Sequence, residues 1–160
     1  MADIFIHPDA CVLEIGGGSG AVSTIIQEHL RNRENHVVIQ PTEGEGSETP
    51  MFGGINALRE NKTSCKHKYT IVDHILKPGE GKSLLKMVSK PFDTLVADCE
   101  GCLIREYEKN PTLFKSLTMA ILERDDLELG SAAAAFLIVA IVLAIVLAIK
   151  TKPKVPAKHL

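Results

Sequence analysis

Five short apolar runs set the tightest limit on what this chain can fold into. They are CVLEI at Cys11–Ile15, HVVIQ at His36–Gln40, YTIVD at Tyr69–Asp73, TLVAD at Thr94–Asp98 and MAILE at Met119–Glu123. Each has strand length, is rich in aliphatic and β-branched residues and shows little polar alternation, as expected of strands buried on both faces. Helical patterns lie between them. Ala21–Arg31 puts Val22, Ile25, Ile26 and Leu30 on one face, Gly53–Asn61 and Ser83–Val88 are shorter, and Leu103–Leu117 is interrupted at Asn110-Pro111. Strands alternating with helices predict a mostly parallel sheet of about five strands, and right-handed crossovers make it doubly wound. Thr42–Pro50, TEGEGSETP, reads as a polar loop.

Between the first strand and the first helix stands VLEIGGGSG, with Gly16, Gly17, Gly18 and Gly20. A chain that turns tightly there can bring backbone N–H groups close to a ligand at the helix N-terminus. The pattern is E-x-G-x-G-x-G, starting at Glu14. A dinucleotide fingerprint fits only with Ala21 in its third glycine place, and the Gly-Lys-Ser/Thr of a phosphate-cradling loop is absent. The turn alone points to a nucleotide-like ligand, or to nothing more than a tight strand–helix connection.

Charge is split along the chain. All 20 acidic residues precede Ser131, with 14 Lys and Arg, which leaves that part at about −6; the residues after Ser131 hold four lysines and no acid. An acidic head argues against nucleic-acid binding, which needs a basic face. The N-terminus lacks the basic start and apolar core of a signal peptide, so the head is expected in the cytosol. Cys11, Cys65, Cys99 and Cys102 are then expected as thiols. Cys99 and Cys102 form a C-x-x-C, but a zinc site would want a second pair, so no metal is expected.

Ala132–Ile149 reads AAAAFLIVAIVLAIVLAI, 18 residues without a polar side chain. As a helix it would span about 27 Å, close to a hydrocarbon core of about 30 Å. Its aliphatic residues and phenylalanine favour insertion by about 3 to 7 kcal/mol. Acidic residues precede it, and Lys150, Lys152, Lys154 and Lys158 follow it. The pattern predicts a C-terminal, single-pass tail anchor, with the lipid bilayer as partner. The expected organisation is a head at 1–130, a membrane helix at 131–150 and a basic tail at 151–160. Ala140, Ala144 and Ala148 recur on one helix face, a stripe that allows self-association in lipid.

VLEIGGGSG resembles the first motif of class I S-adenosylmethionine-dependent methyltransferases. HVVIQP, FDTLVADCEG, NPTLF and MAILERDD resemble, in order and spacing, later motifs of the FkbM-like branch, so the similarity spans most of residues 10–126. A resemblance in style to proteins of large DNA viruses is weaker. The family likeness implies a Rossmann-like methyltransferase sheet with S-adenosylmethionine as cofactor. It implies that Gly16, Gly17, Gly18 and Gly20 hold the methionine end and that Glu14 orients the turn or the amino group. Gln40, ending the second strand, would meet the ribose, and Asp73 the adenine amino group. Asp98 and Glu100, at the mouth of the fourth strand, would face the methyl acceptor as catalytic carboxylates.

Three departures from the family pattern bear on activity. Gln40 replaces an expected acid, unless Glu43 substitutes from the loop. With the first strand expected by residue 11 and the fifth just before the apolar segment, the family's N-terminal covering helix and its closing sixth and seventh strands are expected to be missing. That would leave a bare sheet edge for a partner, the membrane surface or a second copy to cover. Two readings result. One is a membrane-anchored methyltransferase acting on a hydroxyl of a sugar, lipid or small molecule. The other is an inactive methyltransferase-fold protein, a membrane-anchored structural or assembly component of a virion or organelle complex.

Overall fold

The computed structural model describes residues 5–41, 54–99 and 102–122. The elements run β1 (Val12–Ile15), α1 (Ala21–His29), β2 (His36–Ile39), α2 (Gly54–Ser64), β3 (Thr70–Val72), α3 (Gly81–Leu84), β4 (Thr94–Ala97), α4 (Cys102–Lys109) and β5 (Met119–Leu122). A 3-10 turn at Pro111–Phe114 follows α4. Proline there cannot continue the helix, because it has no N–H to donate to the preceding turn.

The five strands form one sheet in the order β3-β2-β1-β4-β5, and every pairing is parallel. Walking from β1 to β2 to β3 moves one way across the sheet, and β4 to β5 the other. Right-handed connections therefore put α1 and α2 on one face and the later helices on the opposite face. The register places Val12, Glu14, His36, Val38, Thr94 and Val96 on a common face. On it, Ile26 of α1 and Leu30 directly after it pack with Val12, Val96 and Ile121, while Ile55 and Leu58 of α2 pack with Val38, Tyr69 and Ile71. All four residues of β1, β2 and β4 are buried, which accounts for their unbroken apolar runs.

Two expectations change here. The segment Ala132–Ile149 lies outside the described residues, and among the described residues no helix is long and apolar enough to cross a membrane. The longest, α2, has 11 residues, about 16 Å of helix against a core of about 30 Å. The bilayer anchor is therefore corrected, and the membrane and virion locations, membrane partners and anchored functions built on it go with it. The second correction concerns Cys99 and Cys102, expected as thiols, which form a disulfide. Cys11 and Cys65 are free.

Candidate functional site

The carboxyl ends of β1, β2, β3 and β4 bring together most of the residues singled out in the sequence. The chain leaves β1 at Gly16, whose N–H donates to the Ile39 carbonyl at 2.9 Å. Gly16 has φ +89°, and a methyl group on it would overlap the Asp98 carbonyl. Only glycine allows the first turn to press against the end of β4 in this way. Gly17 lies against Val38 and Leu58, and Gly20 caps α1 with its N–H on the Gly17 carbonyl at 2.8 Å. Gly18 differs from these. It has φ +50° and nothing within 4 Å of where a Cβ would stand, so the crest of the turn faces open space.

Gln40 does not project away from the turn. It is 4 % exposed, and its Oε1 accepts the Gly18 N–H at 2.9 Å. The end of β2 thus holds the glycine crest in place, tying the second strand to the turn after the first.

Glu14 points the other way, into the core beneath α1. Its Oε2 accepts from Ser23 Oγ at 2.8 Å and lies 2.8 Å from His36 Nε2, and both Glu14 and His36 are fully buried. The amide of Gln27 fixes the tautomer. Its Oε1 accepts the Lys68 N–H at 2.7 Å, so its Nε2 donates to the Arg33 carbonyl at 2.9 Å and to His36 Nδ1 at 3.1 Å. His36 therefore carries its proton on Nε2 and donates it to Glu14. Glu14 Oε1 has no hydrogen-bond partner. This chain of polar groups joins β1, α1, β2 and the segment just before β3.

Asp73 follows β3 and is half-exposed. Its carboxylate takes Arg59 of α2 at 2.6 Å and lies 3.5 Å from His74 Nδ1. His74 Nε2 meets Glu80 Oε1 at 2.9 Å. The Glu80 hydrogen bond, with help from Asp73, raises His74 above its ordinary 6.5. Glu80 is lowered below 4.5, first by the Lys77 N–H and then by His74. A raised histidine stabilises the fold below its ordinary value and loses that contribution as pH rises through the folded value; a lowered carboxyl stabilises above its ordinary value and loses it on acidification. The pair is thus strongest between about pH 4.5 and 6.5. Since both groups are partly solvated, the effect is small. His74→Asn should lower the thermal midpoint at about pH 5.5 and leave it nearly unchanged at about pH 8. Equal losses at both would show that the ion pair is not the cause.

Asp98 is exposed at the mouth of β4, its N–H bonded to the Ile15 carbonyl at 2.9 Å. The Cys99–Cys102 disulfide follows it, with Cys99 beside Gly16 and Cys102 opening α4. Glu100 and Glu43 lie outside the described residues. Cys11 sits at the opposite end of the sheet. Burial, aided by Asp93, pushes its thiol up to about 12, and the Sγ bonds the Lys90 carbonyl at 3.2 Å. It is therefore an inert core thiol. No group of residues able to hold a metal ion occurs among the described residues.

Sequence reasoning missed two features. One is Glu106 of α4, buried with both carboxylate oxygens unpartnered; in REYEK it reads as part of a solvated helix face. The other is the polar lining under α1, where Ser23 and Gln27 are buried and Val22 is 39 % exposed. The spacing 23, 26, 27, 30 carried that signal, but two of its members are polar.

No family model matches this chain, and no curated protein matches it. The expected membership of the FkbM-like methyltransferases is corrected accordingly, and the methyl-transfer activity inferred from it does not stand. The glycine turn by itself is no S-adenosylmethionine motif. What the described residues form is a Rossmann-like sheet of five parallel strands, an architecture often associated with nucleotide and cofactor binding.

Proposed function

We propose that the domain, spanning 1–130, binds an adenosine-containing cofactor, S-adenosylmethionine, at the carboxyl end of the sheet. One observation carries the reading: the open crest at Gly18 stands where β1 is flanked by β2 on one side and β4 on the other. Ligands of doubly wound sheets bind at such a switch point, outside the carboxyl ends of the strands. In this reading Gly16, Gly17, Gly18 and Gly20 shape the cradle, with Glu14 orienting it from below. Gln40 presents the ribose side and Asp73 the adenine side. Asp98 at the mouth of β4 is the carboxylate that would face a second ligand, and Glu100, outside the described residues, is the other proposed member of that pair.

The test is calorimetric titration of the full chain with S-adenosylmethionine and S-adenosylhomocysteine, beside the variant Gly18→Ala. A methyl at Gly18 meets no atom, so the variant should fold with a loss of only about 1 kcal/mol for its left-handed backbone. That methyl should still fill the space a ligand needs and weaken binding at least about tenfold, or 1.4 kcal/mol. Absence of binding by the folded parent chain at millimolar ligand would end the proposal, as would unchanged affinity in Gly18→Ala.

A further inference from the structure

From Arg59 to Lys68 the chain reads RENKTSCKHK, four basic residues and one acid within a protein of formal charge −2. The fold gathers them around one groove of about 730 Å³ beside α2 and β3, lined by Arg59, Lys62, Lys66, His67, Lys68 and Ile71 among others. Arg59 is held by Asp73, and Lys62 lies 5.8 Å over the Tyr69 ring. Lys66 and Lys68 are exposed. Among the described residues no ion pair holds Lys62, Lys66 or Lys68. His67 is 7 % exposed, and its Nδ1 has no hydrogen-bond partner.

Lys66 carries an independent signal. It has φ +55°, and among the described residues no other non-glycine has a positive φ. It ends α2 in a turn where the Lys66 N–H meets the Thr63 carbonyl at 3.2 Å and the His67 N–H meets the Lys62 carbonyl at 2.9 Å. Glycine is the favoured residue at that point of such a turn. A lysine there is strained, and residues held in sparsely populated backbone regions cluster at functional sites.

We propose that this groove binds a small anion carrying two or more linked phosphate groups. The cationic groups are spread over about 10 Å, the last turns of a helix and the residues after it, so one phosphate cannot meet them together. The volume lies in the range of small-ligand sites, about 300–1,000 Å³. A long polyanion fits less well, because the surrounding head is acidic and would repel it. The groove involves none of the residues of the glycine turn and meets the proposed cofactor site only through the Arg59–Asp73 ion pair, and Lys66, which the test changes, belongs to the groove alone.

Sodium tripolyphosphate, titrated calorimetrically into the full chain, is the direct probe. Lys66→Gly relieves the backbone strain, so it should raise the thermal midpoint while weakening tripolyphosphate about tenfold through loss of a charge-assisted hydrogen bond. Exposed Lys86→Gln removes the same charge elsewhere and should leave the affinity within about twofold. Adenosine triphosphate separates two sources of the same chemistry. Affinity equal to tripolyphosphate assigns the groove to phosphate chains, and a tighter fit that Lys66→Gly abolishes assigns it to a nucleotide. The proposal is overturned if the parent chain shows no binding at millimolar tripolyphosphate, or if Lys86→Gln weakens binding as much as Lys66→Gly. It is also overturned if a short DNA duplex binds more tightly than tripolyphosphate, since the surface would then serve a nucleic-acid backbone.

Discussion

His36→Leu should destabilise the fold by about 3–5 kcal/mol, because it takes the imidazole N–H away from a carboxylate that stays fully buried. In a domain of this size that is a fall of roughly 10–20 °C in the thermal midpoint. Leucine fills most of the imidazole volume, so the loss is not chiefly a cavity. It comes from Glu14, left fully buried with Ser23 as its remaining hydrogen-bond donor. Urea denaturation gives the number through the transition midpoint at constant slope. A loss below about 1 kcal/mol would mean that water reaches Glu14 in place of the imidazole. The triple change Glu14→Met, Ser23→Ala, His36→Leu removes the stranded carboxylate and the hydroxyl that faces it, while Gln27 Nε2 keeps its bond to the Arg33 carbonyl. It should recover most of the loss, because replacing a buried charge and its direct partners by apolar groups is often neutral or better.

Glu106→Met should act in the opposite direction. Glu106 is 1 % exposed, neither of its oxygens has a hydrogen-bond partner, and Arg105 Nε comes only to 3.8 Å. Burial raises its carboxyl above the ordinary 4.5. Above that value the folded chain holds the proton more tightly than the unfolded chain does. Stability therefore falls as pH rises from 4.5 through the raised value. Methionine has similar length and helix propensity and no charge to bury. The variant should gain about 1–4 kcal/mol at neutral pH and lose that pH dependence. At about pH 4, where the parent carboxyl is protonated, the two proteins should differ far less. A constant difference across the whole range would point to packing rather than charge.

The contrast between these two carboxylates shows what the sequence can and cannot disclose. The strands are legible to within a residue at each end, because a parallel strand buried on both faces leaves an apolar run that nothing else in the chain imitates. The glycine turn is legible for a related reason: Gly16 touches the Asp98 carbonyl, and no other residue could stand there. Glu14 and Glu106 are another matter. Each sits among residues that look ordinary for its element, and burial depends on what the opposite element contributes. Ser23 and Gln27 turn inward because Glu14 and His36 need partners, a pairing between segments that no local periodicity encodes. Val22 is displaced to the surface as a result. Gln40 marks the same limit: its position at the end of β2 is readable, but its bond to Gly18 across the site is not. The basic groove disappears in a sum, since ten residues with an excess of positive charge lie within an acidic head.

The order of strands also dictates when the site can exist. β1 comes first in the chain and lies at the centre of the sheet, yet Val12 finds its partner Thr94 only 82 residues later. Closing so long a loop is entropically costly, and non-local pairing of this kind slows folding. On the ribosome, β1, β2 and β3 can assemble while one side of β1 still waits for β4 to emerge. Until it does, Gly16 has no Asp98 carbonyl to rest against and the turn has no second wall. The two-walled turn is therefore completed late, at the last seam of the sheet to close around β1. A ligand for that turn would select against every partly assembled chain and so report on completed folding.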